Sequence, residues 1–146
     1  MLPVDNARTA LVTVLNTVFT DDSFPAEAFD WYPGDYAHSA AVVLMDQRAT
    51  ISRDRFSSQN RIPFAENWEI DLEILVSNDL QPPDAAQYIG RVQDKIITEV
   101  ASNTRLDGAT GLVRCFVGSL GTKREDSSIK GEMTLNCEFR LERTRP

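Results

Sequence analysis

The sequence predicts an α+β fold: a two-layer sandwich of a mostly antiparallel sheet with two helices on one face and a long β-hairpin arm. Three observations predict it. Two segments carry apolar residues at three- and four-residue steps, two others alternate apolar and polar residues strictly, and consecutive strands are joined by turns, which favours an antiparallel sheet.

In chain order, Ala7, Ala10, Leu11, Val14, Leu15 and Val18 make one amphipathic helix over about 5–19, with Asp5 or Asn6 placed as its N-cap. Segment 21–39 holds Pro25, Pro33, Gly34 and several aromatics without a steady period, which reads as an ordered connection without regular structure. Residues 40–45 form a short apolar run of strand length. After them, Trp68, Ile70, Leu72, Ile74 and Val76 alternate with Glu69, Asp71 and Glu73, so one face of this strand is core and the other meets solvent or a partner. Between these two strands, residues 46–67 read as the arm, its tip leaving the body of the domain.

Pro82, Pro83 and Asp84 signal a helix start, and Ala85, Tyr88, Ile89, Val92, Ile96 and Val100 carry the stripe to about Ser102. A glycine-bearing turn over 107–111 leads to a strand at 112–120 with Val113, Cys115 and Val117 inward. A polar turn at 123–131 follows. Met133, Leu135, Cys137, Phe139 and Leu141 then alternate with polar neighbours in the closing strand.

At 146 residues and 16.3 kDa the chain has the size of a single domain, 1–146, with ordinary globular composition. Neither a membrane-spanning run nor a signal peptide is expected, so the reading is a chain made in the cytosol that does not engage a membrane. A net charge of −7 argues against general duplex-DNA binding, which needs clustered Lys and Arg. Cys115 and Cys137 are the only cysteines, lack a CxxC spacing, and read as buried thiols rather than a disulfide or metal pair.

Signals for chemistry are sparse. His38 is the sole histidine, beside Ser39 and near Asp35, but catalytic relays rarely assemble from five consecutive positions of a loop. Glu69, Asp71 and Glu73 share one side of a strand, which suits a solvated face, a charged interface or channel wall, or, less readily, a cation site. Asp107, Gly108 and Gly111 lack the lysine of a phosphate loop. The expectation is a protein that is not an enzyme and needs neither cofactor nor metal.

One charge pattern stands out. Segment 21–39 contains Asp21, Asp22, Glu27, Asp30 and Asp35 with no Lys or Arg, whereas residues 47–65 of the arm carry Arg48, Arg53, Arg55 and Arg61 against Asp54 alone. Complementary patches of this kind fix register where like subunits meet head to tail around a ring; they can equally be solvated loops or pair within one domain.

The order of these elements resembles the tail terminator, or tail-to-head joining and tail-completion, proteins of long-tailed bacteriophages. The likeness is carried by the first helix, the arm 46–67, the strand Trp68-Glu69-Ile70-Asp71-Leu72-Glu73-Ile74, the helix ending near Ser102, the Leu106-Asp107-Gly108 turn and the closing strand from Gly131 to Arg140. It is a likeness of pattern across most of the chain, without a diagnostic short motif. It implies a structural virion protein of tail or neck, assembled in the host cytoplasm as a homohexameric ring that caps the tail tube and meets the head connector. No catalytic residue carries over. The four arm arginines would then contact a neighbouring subunit or the tube, as would the acidic segment, while Glu69, Asp71 and Glu73 would line a lumen through which genomic DNA passes. Alternative readings are another neck protein, a head-completion or connector-adaptor component, and a small ligand-binding or enzymatic domain using His38, Asp35 and the Glu69 row.

Overall fold

The computed structural model describes residues 2–19, 24–34, 39–53, 61–77, 79–125 and 128–144, with backbone alone for 52–53, 61–64 and 141–144. The chain runs α1 (Pro3–Val18), β1 (Glu27–Phe29), β2 (Ala40–Arg53), β3 (Arg61–Val76), α2 (Pro82–Ser102), β4 (Leu112–Glu125) and β5 (Ser128–Thr144). The strands form one sheet in the order β1-β2-β3-β5-β4, antiparallel except for the β1–β2 pair. The α+β sandwich with two helices and a mostly antiparallel sheet is therefore as expected.

Helix α1 begins earlier than the cap reading placed it. Pro3 takes the first helical position, where its missing N–H costs nothing. Asp5 caps from inside the first turn, its Oδ2 accepting the Leu2 amide at 2.9 Å. Helix α2 likewise starts on Pro82, after Gln81 in extended conformation, and ends at Ser102.

Alternation on β3 does what its pattern requires: Ile70, Leu72 and Ile74 are buried, with Ala40, Val42 and Leu44 of β2 and Met133, Leu135 and Cys137 of β5 beside them. Val4, Leu11 and Leu15 of α1 and Ile89, Val92 and Ile96 of α2 join the same cluster. At Gly131 the helix comes so close that a Cβ would lie 2.6 Å from Ile89 Cγ2, so glycine is what admits α2 to the sheet.

Four expectations are corrected. The connection 21–39 contains a strand, β1, whose central residue is bracketed by a side chain imitating a strand. Asn16 Oδ1 accepts the Ala28 amide at 2.8 Å and Asn16 Nδ2 donates to the Ala28 carbonyl at 3.2 Å. Three residues are too few for a legible alternation. Second, the closing strand, read as ending near Leu141, runs on into the arm: β2 and β3 form the expected hairpin from Gln47↔Ile70 to Arg53↔Phe64, and β5 accompanies β3 to Arg61↔Thr144, giving three strands. The arm's tip, with Arg55, lies outside the described residues. Third, residues 123–131 are mostly strand, because β4 and β5 stay paired to Glu125↔Ser128. Fourth, the inward set of β4 is Leu112 and Cys115, with Val117 half-buried and Val113 exposed. A ladder irregularity between Leu112 and Arg114 shifts the alternation by one residue.

The turn after α2 follows expectation. Asp107 exchanges two bonds with Asn103, its amide donating to Asn103 Oδ1 and its Oδ1 accepting from Asn103 Nδ2, both at 2.9 Å. Leu106 (φ 49°), Asp107 (φ 60°) and Gly108 (φ 89°) are left-handed, and this reversal buries Leu106 in the core.

Candidate functional site

Alternation sends the odd-numbered residues of β3 and the even-numbered residues of β5 to the sheet face away from the helices. The arm base and the carboxylate row meet there. Arg48, directly opposite Glu69 in the ladder, reaches Glu69 Oε2 with Nη2 at 2.6 Å and Asp71 Oδ2 with Nη1 at 2.8 Å. Thr134 Oγ1 donates to Asp71 Oδ1 at 2.9 Å. Lys130 on β5 bonds Glu73 at 2.8 Å and lies 3.5 Å from Glu125. On the outer pair of strands, Arg114 grips Glu138 bidentately at 2.8 and 2.9 Å, its guanidinium also 4.9 Å from the Phe116 ring centre.

These pairs have a titration signature. The hydrogen bond that Arg48 donates to Asp71 holds its guanidinium above its ordinary value, and the bond to Glu138 does the same for Arg114. The Lys130 ammonium is raised by its bond to Glu73. Glu125 is held below the ordinary 4.5 by the charge of Lys130, and Glu138 by its bond to Arg114. The Arg48, Arg114 and Glu125 groups are at the surface, where such pairs contribute little stability but order a polar face, while the Lys130–Glu73 pair is half-buried.

The sequence-read patches are thus partly spent on one another. Arg48 of the basic arm pairs with two members of the acidic row, Glu69 and Asp71, offsetting one of their two charges, and Lys130, which sequence reasoning passed over, pairs with Glu73. The face is a lattice of paired charges, not a bare carboxylate wall. Of the remaining arm residues, Arg53 and Arg61 sit on β2 and β3 with backbone alone described, and Arg55 lies outside the described residues.

The acidic segment divides similarly. Asp30 is engaged within the chain by Arg8, Nε to Oδ1 at 2.7 Å. Glu27 lies half-buried on β1, opposite Ala41. Asp21, Asp22, Asp35 and His38 lie outside the described residues. Arg8 also donates to the carbonyls of Leu44 and Met45 and to Gln47 Oε1, satisfying backbone that the irregularity between Leu44 and Gln47 leaves open. A signal for it existed: Arg8 falls on the apolar stripe, four residues after Val4 and three before Leu11.

Among the described residues, the aromatics of 24–32 divide in two directions. Phe24 packs edge-on against Tyr88, with ring centres 5.1 Å apart, and covers the core. Trp31 and Tyr32 instead face outward, 79% and 61% exposed, with Arg8 6.0 Å from the Trp31 ring centre. Tyr32 borders a shallow groove of about 450 Å³ shared with Met45, Glu73, Leu75, Ile129 and Lys130, where apolar surface adjoins the charge lattice. Edge strand β4 adds exposed Val113, Phe116 and Leu120.

Among the described residues, no three His, Cys, Asp or Glu side chains are grouped to hold a metal ion, and no helix is long and apolar enough to cross a membrane. What this surface offers chemically is contact: paired charges, exposed aromatics and an open sheet edge.

No protein-family model and no curated protein matches the sequence. Among solved structures, the chain is similar to one in the virion of a native gene transfer agent particle, at 12% identity and a TM-score of 0.47, covering 95% of this chain and 92% of that one. It is also similar to one in the PVC sheath/tube terminator, in extended state, of an extracellular contractile injection system, at 15% identity and a TM-score of 0.46. That match covers 97% of this chain and 58% of the other. Both likenesses are distant.

Proposed function

We propose that this chain is a structural assembly protein rather than a catalyst, and that it acts as a tail terminator: a ring of like subunits that caps a phage-type tail tube and presents its other side to the head connector. The observation that carries this reading is a sheet that outruns its helices. Strand β3 has 16 residues, about 50 Å of chain at ~3.3 Å per residue, whereas α1 and α2, of 16 and 21 residues, measure only about 24 and 31 Å.

Burial on β2 records the consequence. Ala40 to Leu44 are buried, with Ala40, Val42 and Leu44 in the core under the helices, while Met45, Asp46 and Arg48 to Ile51 are exposed. Such a half-clad sheet, with Ile51, Leu120 and Trp31 turned to solvent, is what a subunit built to be covered by neighbours presents. The specific role comes from the resemblance in element order; the geometry supplies its surfaces. In this reading the arm and the acidic segment contact neighbouring subunits or the tube. The charge lattice around Glu69, Asp71 and Glu73 faces the lumen, where Arg48 and Lys130 offset part of its negative charge and the remainder repels passing phosphates.

The test is the mass of the purified chain, by native mass spectrometry and light scattering, alone and with tail-tube protein. Closed oligomers, alone or on adding tube protein, are expected. A strict monomer under both conditions contradicts the proposal.

A further inference from the structure

We propose that Cys115 and Cys137 form an oxidisable dithiol, a modification site that closes to an intrachain disulfide and staples edge strand β4 to β5 when a small-molecule disulfide reaches it. The two residues stand directly opposite in the β4–β5 ladder, both fully buried, with their sulfurs 3.4 Å apart and the Cys137 thiol donating to Cys115.

The rung they occupy is the favourable one. The Cys115 amide turns away from β5 and donates to the Thr104 carbonyl at 2.6 Å, so this is a non-hydrogen-bonded rung. Opposed Cα atoms at such rungs approach to about 4.5 Å, inside the ~4.4–6.8 Å span that disulfides bridge. Forming a bond of ~2.05 Å asks the sulfurs to approach by roughly 1.3 Å, within reach of side-chain rotation.

Reactivity is gated by the fold. The shared hydrogen bond, burial and the neighbouring sulfur together push the Cys115 thiol well above its ordinary range, so the closed protein presents a neutral, unreactive thiol. Access requires β4 to lift. It is the last strand of the sheet, and ladder irregularities at Leu112/Arg114 and Val117/Ser119 bracket Cys115 on both sides. Such a segment opens at a free energy below that of global unfolding.

Once open, one cysteine thiolate attacks oxidised glutathione, forming a mixed disulfide and releasing one glutathione thiolate. The second cysteine then displaces the other glutathione. The two protein thiols lose two electrons and two protons, and the glutathione disulfide is reduced to two thiols.

The experiment incubates the full chain with oxidised glutathione, in buffer and in urea below the unfolding transition, followed by intact mass, peptide mapping and thermal melting. Expected are monomers lighter by two hydrogens, the Cys115 and Cys137 peptides joined, and closure about tenfold faster in low urea. The oxidised form should melt roughly 5–12 °C higher. A Cys115→Ser variant, still folded by circular dichroism, should yield no joined peptide. Stable glutathione adducts without closure, crosslinks only between molecules, no reaction in low urea, or an oxidised form that melts lower would each overturn the proposal.

Discussion

Arg8 and Asp30, 22 residues apart, meet at 2.7 Å beneath the point where β2 leaves the helix-covered body for the arm. The guanidinium is almost entirely buried and spends its other donors on the carbonyls of Leu44, Met45 and Asp30. One side chain thus ties α1, the tail of β1 and the base of the arm together.

Replacing it exposes that dependence. Arg8→Met keeps much of the volume but leaves the carbonyls and Asp30 without their donor, and should cost about 2–4 kcal/mol in urea unfolding. A loss below about 1 kcal/mol would show that water satisfies these groups equally well.

Leu72 is 1% exposed at the centre of the sheet, facing Leu44 and Met133 across its two ladders. Leu72→Ala should therefore cost about 2–5 kcal/mol. The same denaturation measurement decides it; a smaller loss would mean that the sheet and helices collapse onto the vacated space.

Two glycines separate packing from flexibility. An alanine Cβ at Gly131 meets Ile89 Cγ2 at 2.6 Å and Ile74 Cβ at 3.1 Å, and neither can withdraw without moving α2 or β3. Gly131→Ala should cost about 1–3 kcal/mol. At Gly118 the near neighbour is the end of the Asn136 side chain, which can rotate away, so Gly118→Ala should be milder. Equal losses at both sites would contradict this account of the α2–β5 contact.

The charge lattice gives a pH dependence with a definite sign. Glu125 and Glu138 are held below 4.5 in the folded chain, so their contribution is present above that pH and fades as pH falls through their lowered values. Lys130 is raised, so its contribution is present below 10.5 and fades as pH rises past that value. Melting temperature should fall on acidification below about pH 4.5, by less in high salt, and Glu138→Gln should blunt the change. An identical acid profile in Glu138→Gln would remove the Arg114 pair from the explanation.

The arm offers a test of function without a test of fold. Arg53→Glu with Arg55→Glu reverses two arm charges, and surface charges contribute little to stability but can fix a partner. The double variant should melt as the parent does and fail to form closed oligomers. Unchanged assembly would clear the arm of an interface role.

What was legible in the sequence follows from how burial writes itself into pattern. Leu72 and Ile74 alternate with Asp71 and Glu73 because one face is buried and one wet, and α2 declares itself through Ile89, Val92 and Ile96. Strand β1 escaped because it is three residues long and is bounded by the Asn16 side chain, a contact without periodicity. The arm strands were hard to read because residues 48–51 are exposed on both faces of the sheet, so no alternation was required of them. Arg48, Glu69 and Asp71 were each visible as charges, but their meeting depends on a register that the Leu44/Gln47 irregularity resets.

The most direct measurement is electron microscopy of tail-tube polymers incubated with the purified chain. The account predicts closed rings at tube ends, halted tube elongation, and loss of both with Arg53→Glu and Arg55→Glu. Tubes that elongate unchanged with bare ends, while the chain remains a folded monomer, would contradict it.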